Sequence, residues 1–235
     1  MEAYQLVRMY TTDQNSEMPA TKRKLVEAGI KLVRAQGYNA TTVDDICAAA
    51  GVTKGGFFHY FKSKEELAKE AIVLFREEKR LAYEHAPFRQ LSDPLDRVHG
   101  RLDFAKDSAG GAAALTKGCL IGVLAQELSF THPEFRSAAQ GSFLRMAEDL
   151  EKDIAEAKSL HAPTADFNPR DVALLYVSII QGSMILAKAS ETNAVLMENI
   201  EQFRRYVKSL FGSSQRTARK TTRKSATRAL AGSPG

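Results

Sequence analysis

The stretch from Thr42 to Lys64 restricts the fold more than any other part of the chain, because its caps leave room for only short helices at fixed places. Thr42 with Asp45 three residues on is a variant capping box that opens a helix, and Gly51 stands where that helix must end. Thr53 caps a second short helix, Lys54 to Tyr60, and Ser63 with Glu66 is a full capping box for a third. The turn Gly51-Val52-Thr53 is so brief that the first two helices must pack on each other, with Ile46, Ala50, Val52 and Phe57 at their contact. That is the pattern of a helix-turn-helix. Cys47 falls where the two helices approach most closely and is read as a small packing residue, and Phe57 and Phe61 are assigned to the core.

The second of these helices carries Lys54, His59 and Tyr60 with no acid, which suits the negative potential of a major groove. Charge along the chain points the same way. Residues 19–64 hold eight basic and three acidic side chains, residues 65–211 hold eighteen and twenty-two, and residues 212–235 hold six and none. The formal charge of +5 therefore belongs to a basic head and a basic tail on either side of an acidic body.

Helical spacing dominates the rest. Leu25, Ala28, Gly29, Leu32 and Val33 form one helix face that Gly37 ends as a left-handed cap, and Leu67, Ala71, Leu74, Phe75 and Ala82 form the stripe of a long helix to about His85. Further helices are expected over about 94–108, 117–130, from Pro133 to about Leu160, and after Asn168-Pro169. The run from Val172 to Ala187 is apolar on nearly every side, but at 16 residues with Ser178, Gln181, Gly182 and Ser183 inside it reads as a buried helix rather than a membrane span. Leu196, Ile200, Phe203, Val207 and Leu210 complete the set as a stripe packed along a partner. With no strand pattern, the expected class is all-α. It comprises an arm over 1–18, a head over 19–65, a body over 66–211 and a tail over 212–235, with arm and tail expected to be disordered.

Catalysis finds little support. The five histidines lack metal-ligand spacing, two cysteines cannot build a four-cysteine zinc site, and no nucleophile elbow, phosphate loop or dinucleotide fingerprint occurs, so no cofactor and no metal are expected. The chain starts without a basic stretch leading into an apolar core, which favours the cytoplasm over secretion.

Thr42-Val43-Asp44-Asp45-Ile46, Ala48 to Gly55 and Phe58 to Leu67 closely resemble the DNA-binding domain of the TetR family of bacterial transcriptional repressors. The resemblance implies a homodimer whose recognition helices enter successive major grooves of a palindromic DNA operator, and a body that dimerises and binds a small-molecule effector. By the same resemblance Thr42, Lys54, Tyr60 and Lys64 take positions that hold the DNA backbone, Gly55, Gly56, Phe58 and His59 lie near base edges, and Thr53 is a further DNA-binding candidate. Phe58 replaces the usual tyrosine and keeps only apolar contacts. Tyr60 stays open between phosphate contact and core packing, and Lys54, His59 and Lys64 between DNA contact and plain solvation.

In the body, Gly118-Cys119-Leu120 with Gly122, Glu127-Leu128 and Pro133 to Arg136 resembles a TetR subgroup whose members answer electrophiles or small unsaturated acids. Cys119 is open between buried packing, pocket lining and a reactive sensor thiol. Phe75, Phe104, Cys119, Val123, Phe143, Tyr176 and Gln181 are the candidates for the effector pocket, each also readable as core, and Gln181 also as a dimer contact. Residues 1–18 read as a short arm or the product of an early start codon. The tail reads as a solvated extension or a sequence-independent DNA contact, and the competing function is an effector-independent, nucleoid-type DNA binder.

Overall fold

The computed structural model describes residues 18–109 and 118–230, with side chains as far as Gly212. The expected arm, apart from Met18, and the Gly110-Gly111 break lie outside the described residues. Nine α-helices and no strand occur among those described, in the order α1 (Ala20–Gln36), α2 (Val43–Ala50), α3 (Lys54–Tyr60), α4 (Lys64–Glu84), α5 (Pro94–Ala109), α6 (Leu120–Leu128), α7 (Pro133–His161), α8 (Pro169–Ser190) and α9 (Ala194–Leu230). A single 3₁₀ turn, Pro87–Gln90, joins α4 to α5.

The caps act where the sequence places them. Thr42 Oγ1 accepts from the Asp45 N–H at 3.1 Å while Asp45 Oδ2 accepts from the Thr42 N–H at 2.9 Å, a complete capping box. Thr53 and Ser63 accept from the Gly56 and Glu66 N–H groups at the starts of α3 and α4, but the box expected at Ser63 is only half made, because Glu66 Oε2 accepts from the Lys62 N–H at 2.6 Å rather than from that of Ser63. Gly51 adopts the left-handed conformation at φ 65°. Gly37 ends α1 at φ 98° and ψ 161°, a different glycine-favouring region from the left-handed cap expected for it.

Two main cores result. One gathers Leu25, Ile46, Phe57 and Phe61 from the head with Leu67 and Leu74 of α4, Leu120 and Leu124 of α6 and Phe135 of α7. The other joins α5, α7, α8 and α9 through Leu102, Leu150, Ile154, Ala173, Ile200 and Phe203. Their apolar burial is the main favourable term in this fold.

Two expectations change. The apolar run at Val172–Ala187 is part of a 22-residue helix, long and apolar enough by length and composition to cross a membrane, so shortness is no argument against a span. In the body it is a central helix, with Val172, Ala173, Tyr176, Val177, Ile180, Ser183 and Ala187 buried. Cys119 is the N-cap of α6 rather than a residue inside a helix beginning near 117. The helix α9 is assigned as far as Leu230, and the disorder expected of residues 212–235 falls, apart from Gly212, on residues whose side chains lie outside the described ones.

The last two helices fix directions in the body. The end of α8 lies at the head, where Lys188 Nζ meets the Arg34 carbonyl at 3.5 Å. From there α9 runs back, and Phe211 closes on Phe167, just before α8, with ring centroids 5.5 Å apart. Phe211 therefore lies on the side of the body away from the head.

Candidate nucleic-acid interface and ligand cleft

The recognition surface begins with a tight turn. Val52 N–H donates to the Cys47 carbonyl at 3.0 Å, carrying the chain from α2 into α3 with Cys47 buried beneath it. Burial raises the Cys47 thiol pKa, as a packing role requires. On α3, Phe57 is fully buried and holds the helix down, while Phe58 is 51 % exposed and meets Phe57 edge to face at 5.3 Å. An exposed phenyl ring on this helix suits packing against a thymine methyl group. Lys54, Gly55, His59 and Thr53 are exposed beside it. Lys54 Nζ pairs with Asp44 at 2.9 Å, an exposed ion pair that a phosphate can displace at little cost.

Two assigned residues have structural work of their own. A side chain at Gly56 would place its Cβ 2.8 Å from Val52 Cγ1, so glycine lets α3 close on the turn. The same construction at Gly55 comes no nearer than 4.0 Å to any atom, leaving that position open. Lys64 donates to the Tyr38 and Thr41 carbonyls at 2.9 and 2.8 Å and stands 4.1 Å from the Tyr38 ring centre. Its ammonium pins the loop between α1 and α2, a different task from the phosphate contact the resemblance implied. Tyr60 is partly buried against the head core and meets His59 edge to face, so it falls between its two readings.

A cleft of about 340 Å³ opens where the head meets the body. Gln36 and Gly37 contribute from the head, Cys119, Val123 and Glu127 from the region of α6, and Gln181 and Lys188 from α8. Three of the seven pocket candidates, Cys119, Val123 and Gln181, thus come together. The other four do not line it. Phe75 packs in the first core between the Arg34 and Lys79 cations, each under 6 Å from its ring centre. Phe104 joins Tyr83 and Phe88 in a small aromatic cluster, Tyr176 stacks on Phe203 at 5.2 Å, and Phe143 packs between the two main cores.

Polar contacts frame the cleft and tie head to body. Arg34 Nε donates to the Gly118 carbonyl at 2.8 Å, and the Asn39 N–H donates to Glu127 Oε2 at 2.7 Å. Gly37 is needed for the second contact, since a Cβ there would lie 2.6 Å from Glu127 Oε1. Cys119 is half-buried, and Gln181 Nε2 is buried with no hydrogen-bond acceptor, a donor left for a ligand or water. Sequence reasoning missed Gln36, Gly37, Glu127 and Lys188, because nothing local tells which side chains of distant helices will face one another. Two of them carried a signal of another kind, Gly37 as a helix end and Glu127 as part of the motif that resembles a TetR subgroup.

Comparison with known proteins agrees with this layout. The family described as bacterial regulatory proteins, tetR family, matches residues 25–71, and that described as the tetracyclin repressor-like C-terminal domain matches residues 94–203, together about two thirds of the chain. An uncharacterized helix-turn-helix regulator from the lacX 3' region of Lactococcus lactis subsp. lactis is 29 % identical over 195 residues, 77 % of this chain and 90 % of that one. The transcriptional regulator AcuR of Cereibacter sphaeroides is 29 % identical over 168 residues, 71 % of this chain and 75 % of its own. The crystal structure of regulatory protein TetR from Rhodobacter sphaeroides superposes with a TM-score of 0.72 at 24 % identity, covering 82 % of this chain and all of that one.

Proposed function

Because this chain belongs to the TetR family of transcriptional regulators, DNA-binding proteins that generally repress, we propose that it is a homodimeric repressor of a palindromic operator, released when a small molecule fills the head–body cleft. The observation that carries the reading is the placement of the cleft among the hydrogen bonds that orient the head. A ligand that pushes Glu127 or Gly118 alters the tilt of α1, and through the shared core that of α3. Ligand and operator then oppose each other reciprocally. The homodimer is supported by the outer face of α8, where Leu175, Ile185 and Leu186 are exposed around the open Gly182. Such a regulator works in the cytoplasm, where the DNA is.

Footprinting on DNA flanking the gene tests the first half. A discrete protected palindrome supports the repressor, and protection regardless of sequence would show the nucleoid-type binder instead. Small electrophiles and carboxylic acids, titrated into the complex, test the second half. Release that survives in wild type but is lost in Glu127→Ala, with operator affinity kept, places the effector in the cleft. If Cys119→Ser still answers the electrophiles, Cys119 lines the site without reacting.

A further inference from the structure

The outer face of α8 is ordered about its glycine. Counting from Gly182, accessible residues stand three, four and seven positions away on both sides, Ile179, Ser178 and Leu175 before it and Ile185, Leu186 and Ala189 after it. Those spacings put all six on one face of the helix. No side chain between Asp171 and Lys188 carries a charge, and the hydroxyl of Ser178 is satisfied within α8, where it donates to the Leu174 carbonyl at 3.0 Å. A row that is small or apolar at matching distances on either side of a residue without a side chain is self-complementary in an antiparallel crossing. A second copy of this chain, related by a two-fold axis at Gly182, sets Ile185 and Leu186 against the opposite Ile179 and Ser178, and Ala189 against the opposite Leu175. A Cβ built at Gly182 meets nothing within 4 Å, so the space for that approach is free.

The cleft shares part of this face. Ile185 and Ala189 line it, yet Ile185 is 53 % exposed, so the α8 wall ends at an edge turned to the outside. At the same cleft Cys119 is half-buried and Gln181 Nε2 is buried. Whatever packs on the outer face of α8 therefore also covers that edge.

We propose that the cleft is completed by a second copy of the chain. The partner subunit's Leu175 and Ile179 cover the edge formed by Ile185 and Ala189, and each small molecule is held between two subunits. The inference rests on the homodimer and the effector cleft proposed above, and adds that a lone subunit holds only an open half of the site. Effector binding and association then strengthen each other by mass action.

The test times the addition of N-ethylmaleimide to each cysteine of the full chain by mass spectrometry. Cys119 reports on the cover because it lines the cleft, and Cys47, buried with its thiol pKa raised, is the internal reference. The double variant Leu175→Glu, Leu186→Glu puts four acids on the crossing of a dimer without touching the lining of the cleft. It should be a monomer by light scattering, and its Cys119 should label at least fivefold faster than in the wild-type dimer, with Cys47 unchanged. Equal Cys119 rates overturn the proposal and leave the homodimer standing. A double variant that stays dimeric overturns the crossing, and a wild-type protein that is monomeric throughout overturns the proposal together with the homodimer. If Cys47 also labels faster, the variant has loosened, and a mixed dimer decides without any change to the labelled subunit. The full chain is combined with a tagged copy carrying Cys119→Ser and Leu175→Ala, so that one Cys119 remains in the isolated pair. It should label at least threefold faster than when the tagged copy carries Cys119→Ser alone, and equal rates overturn the proposal. The readout is a thiol, so failure here is separate from failure of the Glu127→Ala test of where the effector binds.

Discussion

Gly55 and Gly56 are neighbours on the recognition helix with opposite constraints. Gly56→Ala forces a methyl group against Val52 Cγ1, an overpacking that costs about 1–3 kcal/mol. Gly55→Ala meets open space and should raise stability by about 0.5–1 kcal/mol through the helix preference of alanine. Urea titrations of the two variants check the signs, and a gel shift with Gly55→Ala reports the DNA contact alone, because its fold is not disturbed. Lys64→Met removes two hydrogen bonds from the loop of Tyr38 and Thr41 and should lower stability by about 1–3 kcal/mol. A lysine that instead held phosphate would leave stability unchanged and flatten the salt dependence of DNA binding by about one unit. Residues such as Thr42, Thr53 and Ser63 were legible in the sequence because a cap is a contract between neighbours three positions apart. Lys64 was not, since its partners lie 23 and 26 residues earlier and only the folded loop brings them within reach.

At the scale of elements, α5 is fastened to α7 by charge as much as by apolar contact. Arg101 is buried beneath the Tyr83 and Phe88 rings and pairs with Asp149, while Arg97 pairs with Asp153 at 2.9 Å and Arg89 with both acids. Burial works to raise the Asp149 pKa, and Arg101 and Arg89 more than offset it, holding the carboxyl below its ordinary value. Arg101→Ala strands part of that arrangement and should cost roughly 3 kcal/mol, at the low end for a broken buried pair because Arg89 still meets Asp149. On the other side of α5, burial followed by the Arg204 and Lys208 charges lowers the His99 pKa, with Asp96 and Asp103 opposing. A histidine depressed in the folded state stabilises it above the ordinary value near 6.5, and that stability is lost as pH falls toward the folded pKa. Melting temperature should therefore drop between pH 8 and pH 5 more in wild type than in His99→Gln, and equal drops would exclude His99 as the cause. Existence and order of the helices were readable from periodicity and caps. The cleft was not, because its walls come from three helices more than 50 positions apart from one another, and aromatic residues such as Phe104 and Tyr176 serve a core as well as a pocket.

For the whole molecule, charge and core divide the chain differently. Charge separates a basic head from an acidic body near residue 65, yet the first core ignores that line and runs from Leu25 and Phe57 into Leu120, Leu124 and Phe135. A fragment ending at residue 65 should be largely unfolded by circular dichroism, and a cooperative helical melt from it would contradict the shared core. The same continuity bears on engineering. Regulators of this layout invite the making of hybrids, in which the reader of one is joined to the sensor of another at the apparent boundary. Here a graft at residue 65 would set the foreign reader on a seat shaped for Phe57, Phe61 and Leu25. Only a transplant that carries α4, α6 and the start of α7 along with the head keeps the surfaces of that seat matched.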